Sequence, residues 1–396
     1  MIIQKLTRSI PSQLIKMTLV SSLVLSQASL AIASSTTPND PYFSKQTALS
    51  LSSARDNSIK NAWNITTDAS PVVVAVIDTG ADLSHADLQE NLWINANEIP
   101  NNGIDDDGNG YADDVNGYDF FNRDGNPEDQ WGHGTIVSGI IGAVGNNGIG
   151  TTGVAWSIQL MELKVFGRPS DDGLGHDEEF AEAVRYAVHN GAKVINASWT
   201  MSSSFRGDEI PSLKAAIQEA RSQGVLVIAA AGNDGEDLDA NPVYPAAYHL
   251  GNVISVAALK EGRNELLENS NYGAENVTVA IDGEGILGPY LRNTYATLTG
   301  TSAATGLVTG ISSLILSQRP DFSPDQVREV IIGSSHPSEE LEGLVASQGV
   351  VDSHASLLSA SMMKSQTEGE ADPVLDESNE NSGFAAPVSG GCSLIF

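Results

Sequence analysis

The sequence predicts an α/β protein in three layers: a mostly parallel sheet with helices on both faces. Three observations predict it. Short apolar runs of strand type recur along the chain. Segments with helical period, ended by glycine, alternate with them. At 396 residues the chain is long enough for one large core with short appendages.

Taken in order, Val72 to Ile77 is a continuous apolar run, expected as a buried parallel strand with Asp78 at its C-terminal end. An acidic, Asn/Gly-rich insertion follows over 95–130. His133 opens an apolar, glycine-punctuated helix to Val144. Asp177 to Asn190 has helical period, stops at Gly191, and leads into a strand from Lys193 to Ser198. Ile210 to Gln223 is the next helix, ended by Gly224 before a strand from Val225 to Ala231. A strand from Val253 to Ala258 comes next. An apolar helix is expected from Ala304 to Gln318, beginning just after Ser302. Ser323 caps a further helix, Pro324 to Gly333. There is no internal repeat and no sign of a second folded domain.

The two ends differ in composition. In residues 1–33, Lys5, Arg8 and Lys16 precede the apolar stretch Met17 to Leu30, and Ala31-Ile32-Ala33 forms an A-x-A site. This predicts a signal peptide and an exported protein: secreted, periplasmic or at the cell surface. The run is too short and serine-rich for stable membrane insertion. Residues 361–396 are rich in Glu, Asp, Ser and Gly and predict an acidic disordered tail. The catalytic domain is thus expected over 34–360. Asp and Glu number 50 against 20 Lys and Arg, a net charge of −30. That excess excludes nucleic acid as a partner and favours bound cations. Cys392 is the single cysteine, so no intrachain disulfide is available, and a monomer is expected.

Three glycine-flanked segments carry reactive groups: Val74-Ala75-Val76-Ile77-Asp78-Thr79-Gly80, Trp131-Gly132-His133-Gly134-Thr135 and Gly300-Thr301-Ser302-Ala303-Ala304-Thr305. A serine hydroxyl needs a base to become a nucleophile. His133 can take that proton and return it to a leaving amine. Asp78 would hold the imidazole tautomer. The order acid, histidine, serine is that of one serine-hydrolase lineage. With Ala229-Ala230-Ala231-Gly232-Asn233 after a second strand, the chain resembles the subtilisin-like serine proteases, the subtilases, over roughly residues 40–358. Further blocks carry the resemblance: Asn146 to Ala155, Val194-Ile195-Asn196-Ala197-Ser198, Tyr244-Pro245-Ala246, Val253-Ile254-Ser255-Val256-Ala257 and Gly349-Val350-Val351-Asp352.

The resemblance implies a serine endopeptidase acting on protein or peptide substrates. Asn233 and the Ser302 N–H would form the oxyanion hole. Substrate would lie along Ser198 and Trp199, along Gly173-Leu174-Gly175, and at Gly232. Asp78 lies so close to the expected signal cleavage site that little room remains for a folding-assisting propeptide. Three positions depart from the family habit: Ala303 replaces the usual Met, Gly306 the usual Pro, and Trp199-Thr200 the usual Leu-Gly. Gly306 in place of proline is expected to hold Ser302 less firmly. These departures leave two alternatives: a dedicated processing or acyl-transfer protease of one partner, or a weakly active binding relative.

A calcium loop is expected at Asp105, Asp107, Asn109, Tyr111 (through its carbonyl), Asp113 and Asp114, with Gly110 at the sixth position. Alternate side chains in a tight loop can converge on one hard cation. Asn116 stands at the twelfth position, so the loop is not a full EF-hand. A second calcium site is implied by the resemblance alone, at Asp87, Asn147 and the carbonyls of Gly145, Ile149 and Thr151. In a chain without disulfides, a cation bound only by the folded state would supply stability.

Overall fold

The computed structural model describes residues 36–50, 59–167, 177–202 and 210–363. The chain divides into two units, Met1–Met362 and Met363–Phe396. The expected signal peptide and nearly all of the expected tail lie outside the described residues.

The strands are β1 (Asp68–Asp78), β2 (Gly117–Asp119), β3 (Ser157–Lys164), β4 (Val194–Ala197), β5 (Met201–Ser202), β6 (Leu226–Ala230), β7 (Val243–Tyr244), β8 (Val253–Leu259), β9 (Val279–Asp282), β10 (Ile286–Tyr290), β11 (Thr294–Leu298), β12 (His336–Pro337) and β13 (Gly349–Val350). Nine of them form one sheet in the order β12-β13-β9-β8-β6-β4-β1-β3-β2. Its pairs are parallel except β12 with β13. The longer helices are α1 (His133–Gly142), α2 (Asp177–His189), α3 (Pro211–Ser222), α4 (Thr301–Gln318), α5 (Pro324–Gly333) and α6 (Ser353–Met362).

The pleat of the central strands sorts side chains into two cores. On β1, Val74 and Val76 join α1, α4, α5 and α6 on one face. Ala75 and Ile77 join α2 and α3 on the other. Strands buried on both faces read as unbroken apolar runs, which is why β1, β6 and β8 were visible in sequence. Together these observations give the expected three-layer α/β arrangement.

One expected boundary is wrong. α4 begins at Thr301, not after Ser302, so Ser302 lies inside its first turn. The cause is a remote cap: Asn233 Oδ1 accepts the Thr301 N–H at 2.9 Å. No local spacing could announce a cap from another loop. At α5 the cap is local and was read correctly. Ser323 and Gln326 form a reciprocal capping box there.

Candidate active site

Asp78 ends β1 and is 1% exposed. His133 is the first residue of α1. Gly134 lets these segments meet, and Gly132 leaves room for the Tyr290 ring. Gly132 has φ +100°, and a Cβ there would stand 2.2 Å from the Tyr290 ring. A Cβ on Gly134 would come within 2.1 Å of the Gly80 carbonyl oxygen. Only glycine permits either approach. The Gly134 N–H donates to Thr79 Oγ1 at 2.8 Å, so the two motifs are stitched directly.

His133 Nδ1 lies 2.7 Å from Asp78 Oδ1. An ionised carboxylate only accepts, so Nδ1 carries the proton and Nε2 is left as the acceptor. Asp78 Oδ1 also accepts the Thr79 N–H at 2.8 Å, which fixes the carboxylate plane. Burial disfavours charge on His133, but the charge and hydrogen bond of Asp78, helped by Asp129, outweigh it. The imidazole pKa is raised above its ordinary value. Asp129 also caps α1. It accepts the N–H groups of Trp131, Gly132 and Thr135 and the Thr135 hydroxyl.

Ser302 is 8% exposed. β4 runs beside β1 with Asn196 level with Val76. Two residues further along each segment stand Ser198 and Asp78. Ser198 faces Ser302: the Ser302 hydroxyl donates to the Ser198 carbonyl at 3.0 Å, and the Ser198 hydroxyl donates to the Ser302 carbonyl at 3.1 Å. The Ser302 hydroxyl is therefore engaged by a carbonyl here, not by the imidazole. The Ala303 and Ala304 N–H groups turn to the Gly300 carbonyl. The Ser302 N–H has no protein partner among the described residues. Asn233 is exposed and commits its Oδ1 to Thr301. With Oδ1 so engaged, no protein acceptor for its Nδ2 hydrogens occurs among the described residues.

Gly306 faces α1 across the helix contact. A Cβ at that position would stand 3.0 Å from Ile140 Cγ2 on α1. The glycine brings the helices of Ser302 and His133 into close contact. Ala303 is wholly buried in the core. Trp199 is 7% exposed, donates Nε1–H to the Ile77 carbonyl at 2.9 Å and packs on Phe180. Its ring is a core element, so the residue has only its main chain to offer a substrate. Gly232, with φ +104°, donates its N–H to Thr301 Oγ1 at 3.1 Å. Gly173, Leu174 and Gly175 lie outside the described residues.

Sequence reasoning missed Asn271. Wholly buried, it accepts the Asp234 and Glu236 N–H groups and donates to the Ala231 carbonyl. It thereby shapes the loop that presents Asn233. No local pattern marks it, because its partners lie about forty residues back.

The acidic loop departs from its expected ligand set. Asp105 and Asp107 do come together, but with Glu98, a residue the alternating pattern did not include. Each of the three offers a carboxylate oxygen, all within 4.8 Å of one another. Asp113 turns instead to the N–H groups of Asn102 and Gly103. Asp114 is wholly buried and accepts from Asn95, Asn109 and Tyr186. Asn109 donates to Asp107 as well. The Tyr111 hydroxyl donates to Glu182. An all-oxygen set of crowded acids suits a hard cation, and no Lys or Arg occurs between Lys60 and Arg123.

At the second expected site, Asp87 is wholly buried. It accepts from Asn147 Nδ2 at 2.9 Å and from the Thr151 N–H at 2.8 Å. Asp40, 4% exposed, accepts the Asn146 and Asn147 N–H groups and was not anticipated. Burial pushes both carboxyls up in pKa. The 145–151 loop is held from both sides by these acids. The Asp87 charge adds to the upward shift of Asp40.

A parallel scaffold that brings an Asp–His pair and a helix-borne serine to one sheet edge defines a class, that of the serine hydrolases. The chain belongs to the subtilase family, whose profile (Peptidase S8) it matches over residues 69–366. It is 34% identical to thermitase of Thermoactinomyces vulgaris over 282 residues, which is 71% of this chain and 86% of that protein. It is 31% identical to subtilisin-like protease 1 of Plasmodium berghei over 332 residues, covering 79% of this chain and 53% of the relative. The chain thus spans about half the length of that relative. Among solved structures it is similar to a protease from Pseudoalteromonas arctica, with TM-score 0.66, 29% identity, and coverage of 82% of this chain and 100% of that one. It shares the fold of the prenylagaramide maturation protease PagA, with TM-score 0.59 and 24% identity over 76% of this chain and 98% of that one.

Proposed function

We propose that the chain is a calcium-stabilised serine endopeptidase, exported by residues 1–33, whose catalytic domain spans 34–360. Ser302 is the nucleophile, His133 the general base and acid, and Asp78 the group that orients the imidazole. The observation that carries this reading is the 2.7 Å His133–Asp78 contact, which leaves Nε2 as acceptor. The Ser302 hydroxyl turns from the Ser198 carbonyl towards Nε2 and gives up its proton as Oγ attacks the peptide carbonyl. The Ser302 N–H and Asn233 Nδ2 receive the developing oxyanion. The position of Ser302 in the first turn of an 18-residue helix adds a favourable dipole for that charge. The imidazolium then protonates the leaving amine, and water hydrolyses the acyl-enzyme by the same route in reverse.

Calcium would be held by Glu98, Asp105 and Asp107, and by Asp40, Asp87 and the 145–151 loop. Its contribution is to offset clustered negative charge and so stabilise the fold; the chemical step is the chain's own. Substrates are protein or peptide segments, and the enzyme works as a monomer.

The reading is tested with denatured casein. The wild type is expected to cut it to small peptides, and Ser302→Ala to leave it intact with an unchanged melting temperature. Equal digestion by both would refute the assignment of Ser302. An intact casein with wild type would favour a dedicated processing role.

A further inference from the structure

Beneath the catalytic helix lies a carboxyl group that the mechanism does not use. Glu162 sits on β3, level with Val76 of β1 on one side and Gly117 of β2 on the other. It is wholly buried. Its Oε1 lies 2.8 Å from Ser138 Oγ on α1, and its Oε2 has no partner. Ser138 is on the same short helix as His133. Hence a side-chain hydrogen bond joins the His133 helix to the strand beside that of Asp78.

The charged groups around Glu162 give it no counter-ion. From β1 comes Asp78, and from the turn before α1 comes Asp129; both are negative and both oppose its ionisation. On β3 itself Lys164 is two residues away, but its ammonium is 2.7 Å from Asp119 of β2, and both partners are buried. That cation is already matched. An isolated carboxylate in such a place is strongly disfavoured, and the group takes up a proton instead. Burial raises the Glu162 pKa to about 8.

We propose that Glu162 is a positioning residue that works as a neutral carboxylic acid, holding α1 through Ser138, and that its ionisation ends activity on the alkaline side. This rests on the reading of His133 as base. Losing the proton would put a third carboxylate charge beside Asp78 and Asp129. That charge has no cation and only one hydroxyl to solvate it. It would loosen the packing on β3 of α1, the helix that carries His133.

The sign for stability follows from the same proton. The folded chain holds it up to about pH 8, whereas the unfolded chain releases it near 4.5. Stability is therefore fully present below about 4.5 and is lost as pH rises towards 8. The test compares wild type, Glu162→Gln and Ser138→Ala in kcat/KM against pH, and in melting temperature against pH. Wild-type activity is expected to fall above about pH 8. Glu162→Gln should keep neutral activity within about twofold and extend the plateau by at least about one pH unit. Its melting temperature should fall less than that of wild type between pH 5 and 8. Ser138→Ala removes the hydroxyl that stabilises the ionised form, so its alkaline limb should also move upward. It keeps the proposal testable should the glutamine variant not fold. Coincident alkaline limbs and coincident melting curves for all three proteins would overturn the proposal. The melting curves need no catalysis, so they test Glu162 even where Ser302→Ala shows the catalytic reading to be wrong.

Discussion

The catalytic edge and the acidic loop use carboxylates in opposite ways. At the edge, one buried acid, Asp78, faces one imidazole and has an oxygen, Oδ2, with no hydrogen-bond partner. Regular elements hold it: β1 below, α1 and α4 above. In the loop between Asn95 and Asn116, many acids crowd together, and backbone N–H groups occupy most of their oxygens. Asp105 alone accepts from Gly108, Asn109 and Gly110. Acids in the loop therefore build a shape and a negative potential, whereas the acid at the edge sets the state of one base. The difference teaches that an acid's role follows from what its oxygens already hold.

The largest expected effect that sharpens this contrast is at the edge. Asp78→Asn should lower kcat by on the order of 10⁴-fold, because the amide no longer enforces the reactive tautomer. Burial opposes charge on His133, and Asp78 is what overcomes it. Losing that charge should move the acid limb of kcat/KM to lower pH. An unmoved limb would break the link between Asp78 and His133.

Asn233→Ala should lower kcat by about 10²–10³-fold with KM little changed, the range known for the corresponding donor in subtilisin itself. It also removes the Thr301 cap, so the fold must be checked by its melting temperature. A near-wild-type kcat would remove Asn233 from the oxyanion hole.

The smallest effect is expected from the loop. Removing calcium with EDTA should lower the melting temperature by about 5 °C, the size expected when a ligand at 100 times its Kd is withdrawn. Glu98→Gln should reduce that calcium response, whereas Asp113→Asn should change it less, because Asp113 lies outside the cluster of Glu98, Asp105 and Asp107. Equal responses from the two variants would dissolve the distinction between ligand and scaffold acids.

The placement of the proposed catalytic groups was legible because each lies at the end of a regular element and carries its own glycines. Asp78 closes an apolar strand, His133 opens a helix, Gly132 is demanded by its positive φ and the Tyr290 ring, and Gly134 by the close approach of the Gly80 backbone. What escaped was set by distant partners. The start of α4 depends on Asn233, the oxyanion loop on Asn271, and the acid cluster on Glu98. The hairpin of β10 and β11 was missed because β11 is partly exposed along its length and lacks an apolar run. α6 was missed because Ser353, Ser356, Leu357 and Ala360 bury a small, weakly apolar face. Glu162 and Ser138 are unremarkable as letters. Only the stacking of α1 on β3 makes them a pair.

The central claim is that His133 activates Ser302. The most direct measurement is covalent labelling with a fluorophosphonate, followed by mass analysis of the labelled peptide. Wild type should take up one label at Ser302, rapidly at pH 8, and His133→Ala should label at least about 10³-fold more slowly. A label on another residue, or equal rates in the two proteins, would contradict it.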